Sequence, residues 1–120
     1  MLIRKADAET EAGIIPSPAF MQAMRAYNEE MAAAGAFLQG VGLRASSLGA
    51  RVTVTGETPL IIDGPFAETK ELIAGFTMIQ TRSLEEAKAW ARRWPTIDAG
   101  AVIEIRQVFE PEDFASPQGM

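Results

Sequence analysis

Segment 61–71, with the sequence IIDGPFAETKE, holds the residues whose types and spacing could do chemistry. A strand that ends at Asp63 would place this carboxylate at an edge of the fold, near Lys70 and Glu71 in the turn that follows. A lysine close to carboxylates can tune a general acid or bind an anionic group. The segment therefore predicts Asp63 as a catalytic carboxylate and Lys70 and Glu71 as substrate-binding residues.

Asp63 also has a structural interpretation. An Asp before Gly-Pro can accept hydrogen bonds from the backbone N–H groups just ahead of it. In that case Gly64 supplies unusual backbone angles, Pro65 fixes φ and Phe66 packs beneath the turn. Glu68, one turn away, is interpreted more simply as a solvated turn residue. The sequence leaves both roles of Asp63 open.

The residue types that are missing limit the chemistry. The chain has 120 residues and contains neither histidine nor cysteine. This excludes thiolate catalysis, a Ser-His-Asp triad and zinc sites built from His or Cys. The spacing of a calcium-binding loop does not occur either. Chemistry must come from carboxylates, lysines, arginines, hydroxyls or a bound group, and no motif indicates a metal or another cofactor.

Charge and hydropathy narrow the range of partners and locations. The net charge of -5 argues against a nucleic-acid partner, which needs a basic face. No apolar stretch approaches the roughly 20 residues of a membrane span, and the charges of residues 1–7 follow an apolar start, the wrong order for a secretion signal. We expect a cytoplasmic protein with no membrane partner. Its length fits one domain over residues 1–120, with a loosely held tail at 110–120.

The elements that position segment 61–71 follow from caps and periodicity. Ser17 before Pro18 opens a helix that Gly35 ends, and a capping box at 83–86 opens a second helix through Trp94. Strand patterns cover 1–6, 36–39, 51–55, 60–62, 76–81 and 101–109, and a Gly- and Ser-rich loop covers 40–49. This order predicts an α+β, ferredoxin-like βαββαβ sandwich with an inserted β-hairpin.

The two helices of such a fold cover only one face of the sheet. In the last predicted strand, Ile103 and Ile105 share one side, whereas Glu104 and Arg106 share the other. If the second side faces a dimer interior, the charged pair needs partners or a ligand; if it faces solvent, the pair is a surface feature. Arg4 could join this pair. Pairing of two subunits is the simplest way to cover the face, so we expect a homodimer, with Arg106 as a further substrate-binding residue.

The stretch DGPFAETKE at 63–71, followed by Gly75-Phe76, resembles the signature of the DGPF group of YCII-related proteins. The resemblance covers most of the chain, because it continues through the first strand and through residues 27–30, 42–43, 83–94, 104–106 and 109–110. It implies a ferredoxin-like fold that dimerises through its sheets as a dimeric α/β barrel, a superfamily that includes small isomerases and monooxygenases. Founding YCII members are thought to use a His-Asp pair, which a chain without histidine cannot contain.

Two functions are compatible with these features. The first is a homodimer that binds a small polar or anionic molecule and has a possible carboxylate-based isomerase or lyase activity through Asp63. The second is a non-catalytic dimeric accessory or regulatory module. The resemblance links this second function to transcription regulation, because some relatives occur alongside alternative sigma factors. The absence of histidine favours binding over catalysis, and a bound ligand would distinguish the two.

Overall fold

The computed structural model describes residues 1–115, which form a four-stranded antiparallel sheet, a separate two-stranded hairpin and the helices between them. The elements in chain order are β1 (Leu2–Lys5), α1 (Ala8–Glu11), α2 (Pro18–Ala33), β2 (Phe37–Gly42), β3 (Ala50–Thr53), β4 (Leu60–Asp63), β5 (Ile73–Ile79), α3 (Leu84–Ala91), β6 (Ile103–Ile105) and α4 (Pro111–Ala115). The large sheet has the order β2-β5-β1-β6, and β3 pairs with β4. This confirms the predicted α+β, ferredoxin-like architecture with its inserted hairpin.

The caps of α2 follow the sequence signals closely. The backbone N–H of Phe20 donates to Ser17 Oγ at 3.1 Å, and Pro18 occupies the first helical position. Gly35 follows the helix with a φ of +77°, the left-handed conformation that glycine adopts without steric cost. Local chemistry therefore sets both ends of this helix.

The second predicted helix is capped as expected but is shorter. Ser83 Oγ accepts from the backbone N–H of Glu86 at 3.1 Å, while the Glu86 carboxylate accepts from the N–H of Arg82 rather than from that of Ser83. Helix α3 ends at Ala91, and turns continue the chain to Trp94.

Strand β2 continues through Gly42, where the sequence predicts a loop. Gly42 pairs with Gly75 of β5, and a Cβ atom on Gly75 would lie 2.6 Å from the Val41 carbonyl oxygen. The two backbones approach closely because Gly75 has no side chain. The loop prediction for residues 40–42 is wrong because this contact between distant glycines extends the ladder.

The last predicted strand, 101–109, is too long. β6 spans Ile103–Ile105, and hydrogen bonds from Lys5 N to Val102 O and from Arg106 N to Met1 O continue the ladder by one residue at each end. Within residues 1–115, β6 pairs only with β1, whose four residues set the length of the ladder. The predicted tail begins with α4, and its residues 116–120 lie outside the described part of the chain.

The core lies between the sheet and the two longer helices. Tyr27, Met31 and Ala36 form a buried cluster, and Leu2 of β1 is completely buried. The Tyr27 hydroxyl donates to the Trp90 carbonyl at 2.6 Å, which joins α2 to α3. Both helices therefore lie on the face of the sheet to which Leu2 points.

The buried Tyr27 phenol gives a spectroscopic prediction. Burial raises its pKa to about 12, because tyrosinate would lose its hydration. A raised folded-state pKa means that this contribution to stability is complete below the ordinary value near 10 and falls as the pH rises towards 12. Since Tyr27 is the only tyrosine, the ultraviolet absorbance of tyrosinate should report it alone. A titration midpoint near 10, with native circular dichroism retained, would contradict the burial.

Arg4 does not join Glu104 and Arg106, because it points to the helix side of the sheet. Its Nε and Nη2 atoms donate to the two Asp98 oxygens at 3.0 and 2.5 Å, and the side chains are only 12% and 8% exposed. Trp94 Nε1 also donates to Asp98, at 3.0 Å. The hydrogen bonds that Arg4 donates to Asp98 raise the pKa of Arg4. This pair ties β1 to the segment after α3.

Candidate functional site

Asp63 is the last residue of β4 and is exposed. It pairs with Ala50 of β3, and the N–H of the next residue, Gly64, donates to the Gly49 carbonyl at 3.0 Å. Among residues 1–115, no hydrogen bond reaches the Asp63 carboxylate. The interpretation of Asp63 as a hydrogen-bond acceptor within its own turn is therefore not supported.

A hydrogen-bonded chain from Glu11 holds the turn instead. The backbone N–H of Phe66 donates to Ser46 Oγ at 3.1 Å. Ser46 in turn donates to the Glu11 carboxylate twice, from Oγ at 2.5 Å and from its backbone N–H at 3.0 Å. Glu11 and Ser46 were not predictable as partners from the sequence, since they lie 35 residues apart and form no local motif.

Gly64 and Phe66 are explained by what they touch. A Cβ atom on Gly64 would lie 1.8 Å from the Ser46 carbonyl oxygen, so only glycine fits there. Gly64 has no positive φ, but the peptide bond that joins it to Pro65 is cis. The Arg51 guanidinium of β3 lies 3.9 Å from the centre of the Phe66 ring, a cation–π contact that fixes the base of the hairpin. The turn thus packs on the Ser46 loop and on β3.

These contacts predict opposite behaviour for two substitutions. Ser46→Ala removes the two hydrogen bonds of the Ser46 hydroxyl and keeps the one from its backbone N–H, so it should lower the free energy of unfolding by about 1–2 kcal/mol. Asp63→Ala, at an exposed carboxylate, should change it by less than about 0.5 kcal/mol. Urea unfolding of both variants measures the difference. An equal loss for the two would show that Asp63 holds the turn after all.

Lys70 and Glu71 lie in a 3-10 turn just before β5 and are exposed, as is Asp63. Within residues 1–115, none of these three charged groups has an oppositely charged partner within 4.0 Å. Two surface depressions lie elsewhere: one between α3 and β6, and one beside Gln107 and Asp113. The segment presents free charges at the surface.

Arg106 lies at the other end of the sheet. Lys5 pairs with Ile73, close to Lys70, whereas Arg106 donates its N–H to Met1 at the opposite end of β1. That separation is roughly 15 Å along the strands. A single chain therefore does not bring Arg106 to the Asp63 turn, and the idea that it shares this space within one chain is wrong.

Arg106 and Glu104 do share one side of their strand, the side opposite the helices. Their Nη1 and Oε2 atoms lie 3.4 Å apart on the exposed sheet face. Ile103 and Ile105, by contrast, line the depression against α3. The structure thus answers the question of facing: the charged pair lies on the face that the helices leave open.

Within residues 1–115, no three His, Cys, Asp or Glu side chains are grouped so that they could hold a metal ion. No helix in this part of the chain combines the length and the apolar character that a bilayer crossing requires.

Two comparisons with known proteins place these features in a family. An uncharacterized protein of Rhizobium meliloti (strain 1021) is 57% identical over 37 residues, a stretch that covers 31% of this chain and 29% of the relative. The relative's description assigns it no activity. The model of the YCII-related domain matches residues 1–112, nearly the whole chain. The chain therefore belongs to the YCII-related family.

Proposed function

We propose that the protein is a homodimer that binds a small polar or anionic molecule beside Asp63, Lys70 and Glu71. The observation that carries the proposal is the open face of the large sheet. Leu2, Thr77 and Ile105 are cross-strand neighbours on the helix side of the sheet. Because successive residues of a strand point to opposite sides, the neighbouring cross-strand row points away from the helices. That row runs across all four strands and consists of Val41, Phe76, Ile3 and Glu104.

The exposed area supports dimerisation. The chain exposes 8805 Å², whereas a compact protein of 13.0 kDa exposes about 6,300 Å². The excess of roughly 2,500 Å² is enough for one partner's share of a large dimer interface. The radius of gyration, 16.8 Å, likewise exceeds the about 13–14 Å of a compact domain of this length. This excess of exposed surface supports the proposed homodimer.

The charged groups of the 3-10 turn supply the ligand chemistry. Lys70 is a point charge with three donors and suits a carboxylate or phosphate group. Asp63 and Glu71 have no ion-pair partner in residues 1–115, so they are available to accept hydrogen bonds from a polar ligand. Asp63 would then act as general acid or base in an isomerase or lyase reaction. Arg106 would contribute only from the partner subunit.

A non-catalytic accessory or regulatory module is the second candidate. It is favoured by the position of the two depressions, neither of which is lined by Asp63, Lys70 or Glu71. Catalysis by carboxylates needs a site that excludes water. If the dimer encloses no such site, the Asp63 turn serves folding and the sheet face serves association alone.

The homodimer is tested by light scattering at micromolar concentration. We expect the mass of two chains for the wild type and a shift towards one chain for Val41→Lys, which places a charge in the open sheet face. Leu84→Lys is the matched control, because Leu84 is also exposed but lies on α3. A wild-type monomer would refute the proposal.

The ligand site is tested by a thermal-shift screen of small carboxylates, phosphates and polar metabolites. A compound that stabilises the wild type should lose its effect in Lys70→Ala. Lys88→Ala is the control, since Lys88 is an exposed lysine already paired with Glu85. Binding that survives Lys70→Ala unchanged would place the site elsewhere. If no compound stabilises the wild type in the screen, the accessory module becomes the better proposal.

A further inference from the structure

The two sides of the β3–β4 hairpin differ in their surroundings. Residues directly opposite each other in an antiparallel pair share a side, and successive residues alternate. One side, here called the Val52 side, consists of Ala50, Val52, Ile61 and Asp63. The other side consists of Arg51, Thr53, Leu60 and Ile62.

The second side is exposed as well, with Leu60 and Ile62 53% and 51% exposed, but it makes one contact with the protein's own fold. Arg51 stacks on the Phe66 ring, so this side faces the turn that follows the hairpin. The Val52 side has no such cover. Val52 and Ile61 are 59% and 65% exposed, and Val54, just beyond the end of β3, is 85% exposed.

An isolated two-stranded hairpin is marginally stable in water and needs an apolar surface to pack on. The hairpin forms a sheet of its own and does not extend the four-stranded sheet. Three exposed β-branched side chains along one side of it form an apolar patch. The hairpin is thus built to be covered.

We infer that the Val52 side of the hairpin docks on a second copy of this chain, which places Asp63 at the boundary between two subunits. This inference rests on the proposed homodimer and adds a second contact to its interface. The ligand site would then be completed by the partner, since neither of the two depressions described above is lined by Asp63 or Lys70.

The area of the sheet face explains why a second contact is needed. Four strands about 4.8 Å apart and about 15 Å long cover roughly 300 Å² in plan. Even if protruding side chains double this area, it stays below the roughly 800 Å² that each partner buries in an interface of standard size. The excess surface of the chain is several times larger than the sheet face. The hairpin is a second apolar surface in the same chain that can supply the difference.

Neighbouring isoleucines provide a matched test. Ile61 and Ile62 have the same side chain and are 65% and 51% exposed, but they lie on opposite sides of the hairpin. Sedimentation analysis of the full chain should show that Ile61→Lys raises the dimer dissociation constant by at least about tenfold. Ile62→Lys should raise it less than about threefold.

The outcomes distinguish this inference from the homodimer proposal on which it rests. If the wild type is a monomer, both fail. If the wild type is a dimer and Ile61→Lys leaves its dissociation constant unchanged, the homodimer stands and the hairpin contact is refuted. An equal loss in the two variants refutes the assignment of the Val52 side.

Hydrogen exchange of the wild type gives a second test that does not depend on any variant folding. Amides of β3 and β4 should be protected at concentrations above the dimer dissociation constant and should exchange faster below it. Amides of α2, which is packed within one chain, serve as the internal reference. Hairpin protection that does not change with concentration would overturn the inference.

Discussion

Asp98→Ala should lower the free energy of unfolding by about 3 kcal/mol, the lower end of the range for removing one partner of a buried ion pair, because Arg4 keeps a second carboxylate partner in Asp7. The guanidinium of Arg4 would stay buried and would keep only the more exposed Asp7, at 3.0 Å, after it loses both hydrogen bonds to Asp98. Trp94 Nε1 would lose its acceptor as well. Asp98→Asn should recover part of the loss, since it keeps one acceptor oxygen. Urea unfolding followed by tryptophan fluorescence measures these differences.

The control for this prediction is an exposed ion pair in the same chain. Lys88 and Glu85 lie 3.1 Å apart with side chains 42% and 76% exposed. Breaking this pair by Lys88→Ala should cost no more than about 0.5 kcal/mol, because water screens exposed pairs. If Asp98→Ala and Lys88→Ala have similar effects, the Arg4–Asp98 pair is not buried in solution.

Features that depend on neighbouring residues were predictable from the sequence. Ser17 with Pro18, and Ser83 with Glu86, mark helix starts because the side chain and the N–H that it accepts from lie within one turn. The element order then restricts the fold to a split βαβ arrangement. The hairpin followed in the same way from two β-branched runs around Gly56.

Features that depend on distant residues were not predictable. The Arg4–Asp98 pair joins positions 94 residues apart, and no spacing rule connects them. Gly42 and Gly75 extend β2 through a contact that neither glycine reveals alone. At the candidate site, segment 61–71 indicated which charged groups are exposed, whereas the Ser46 contacts that hold the turn come from another part of the chain.

The sequence left two roles open for Asp63, and the structural one has no counterpart among the hydrogen bonds of residues 1–115. That role was expected because Asp before Gly-Pro commonly accepts local hydrogen bonds. The structure assigns that acceptor role to Ser46 Oγ, which receives the N–H of Phe66. A carboxylate without a structural task is a better candidate for ligand binding, which is why Asp63 stays in the proposed site.

Gly64→Ala should have the other large effect, a loss of at least about 3 kcal/mol of stability or a rearranged turn. The added methyl group would lie 1.8 Å from the Ser46 carbonyl oxygen, a backbone atom that cannot rotate aside. Either the Ser46 loop or the turn must move. Movement would break the hydrogen bond from Phe66 N to Ser46 Oγ and displace Asp63, so binding of any ligand at this site should fall too.

Gly49→Ala is the matched control because its added methyl group would meet the same Ser46 carbonyl oxygen, but at 3.6 Å. That distance is an ordinary van der Waals contact, and the φ of -121° at Gly49 suits any residue. Gly49→Ala should therefore change the free energy of unfolding by no more than about 1 kcal/mol. If Gly64→Ala unfolds at the same urea concentration as Gly49→Ala, the Asp63 turn and the Ser46 loop are not in contact in solution. The hydrogen-bonded chain from Glu11 would then no longer account for the turn, and Asp63 would regain its structural interpretation.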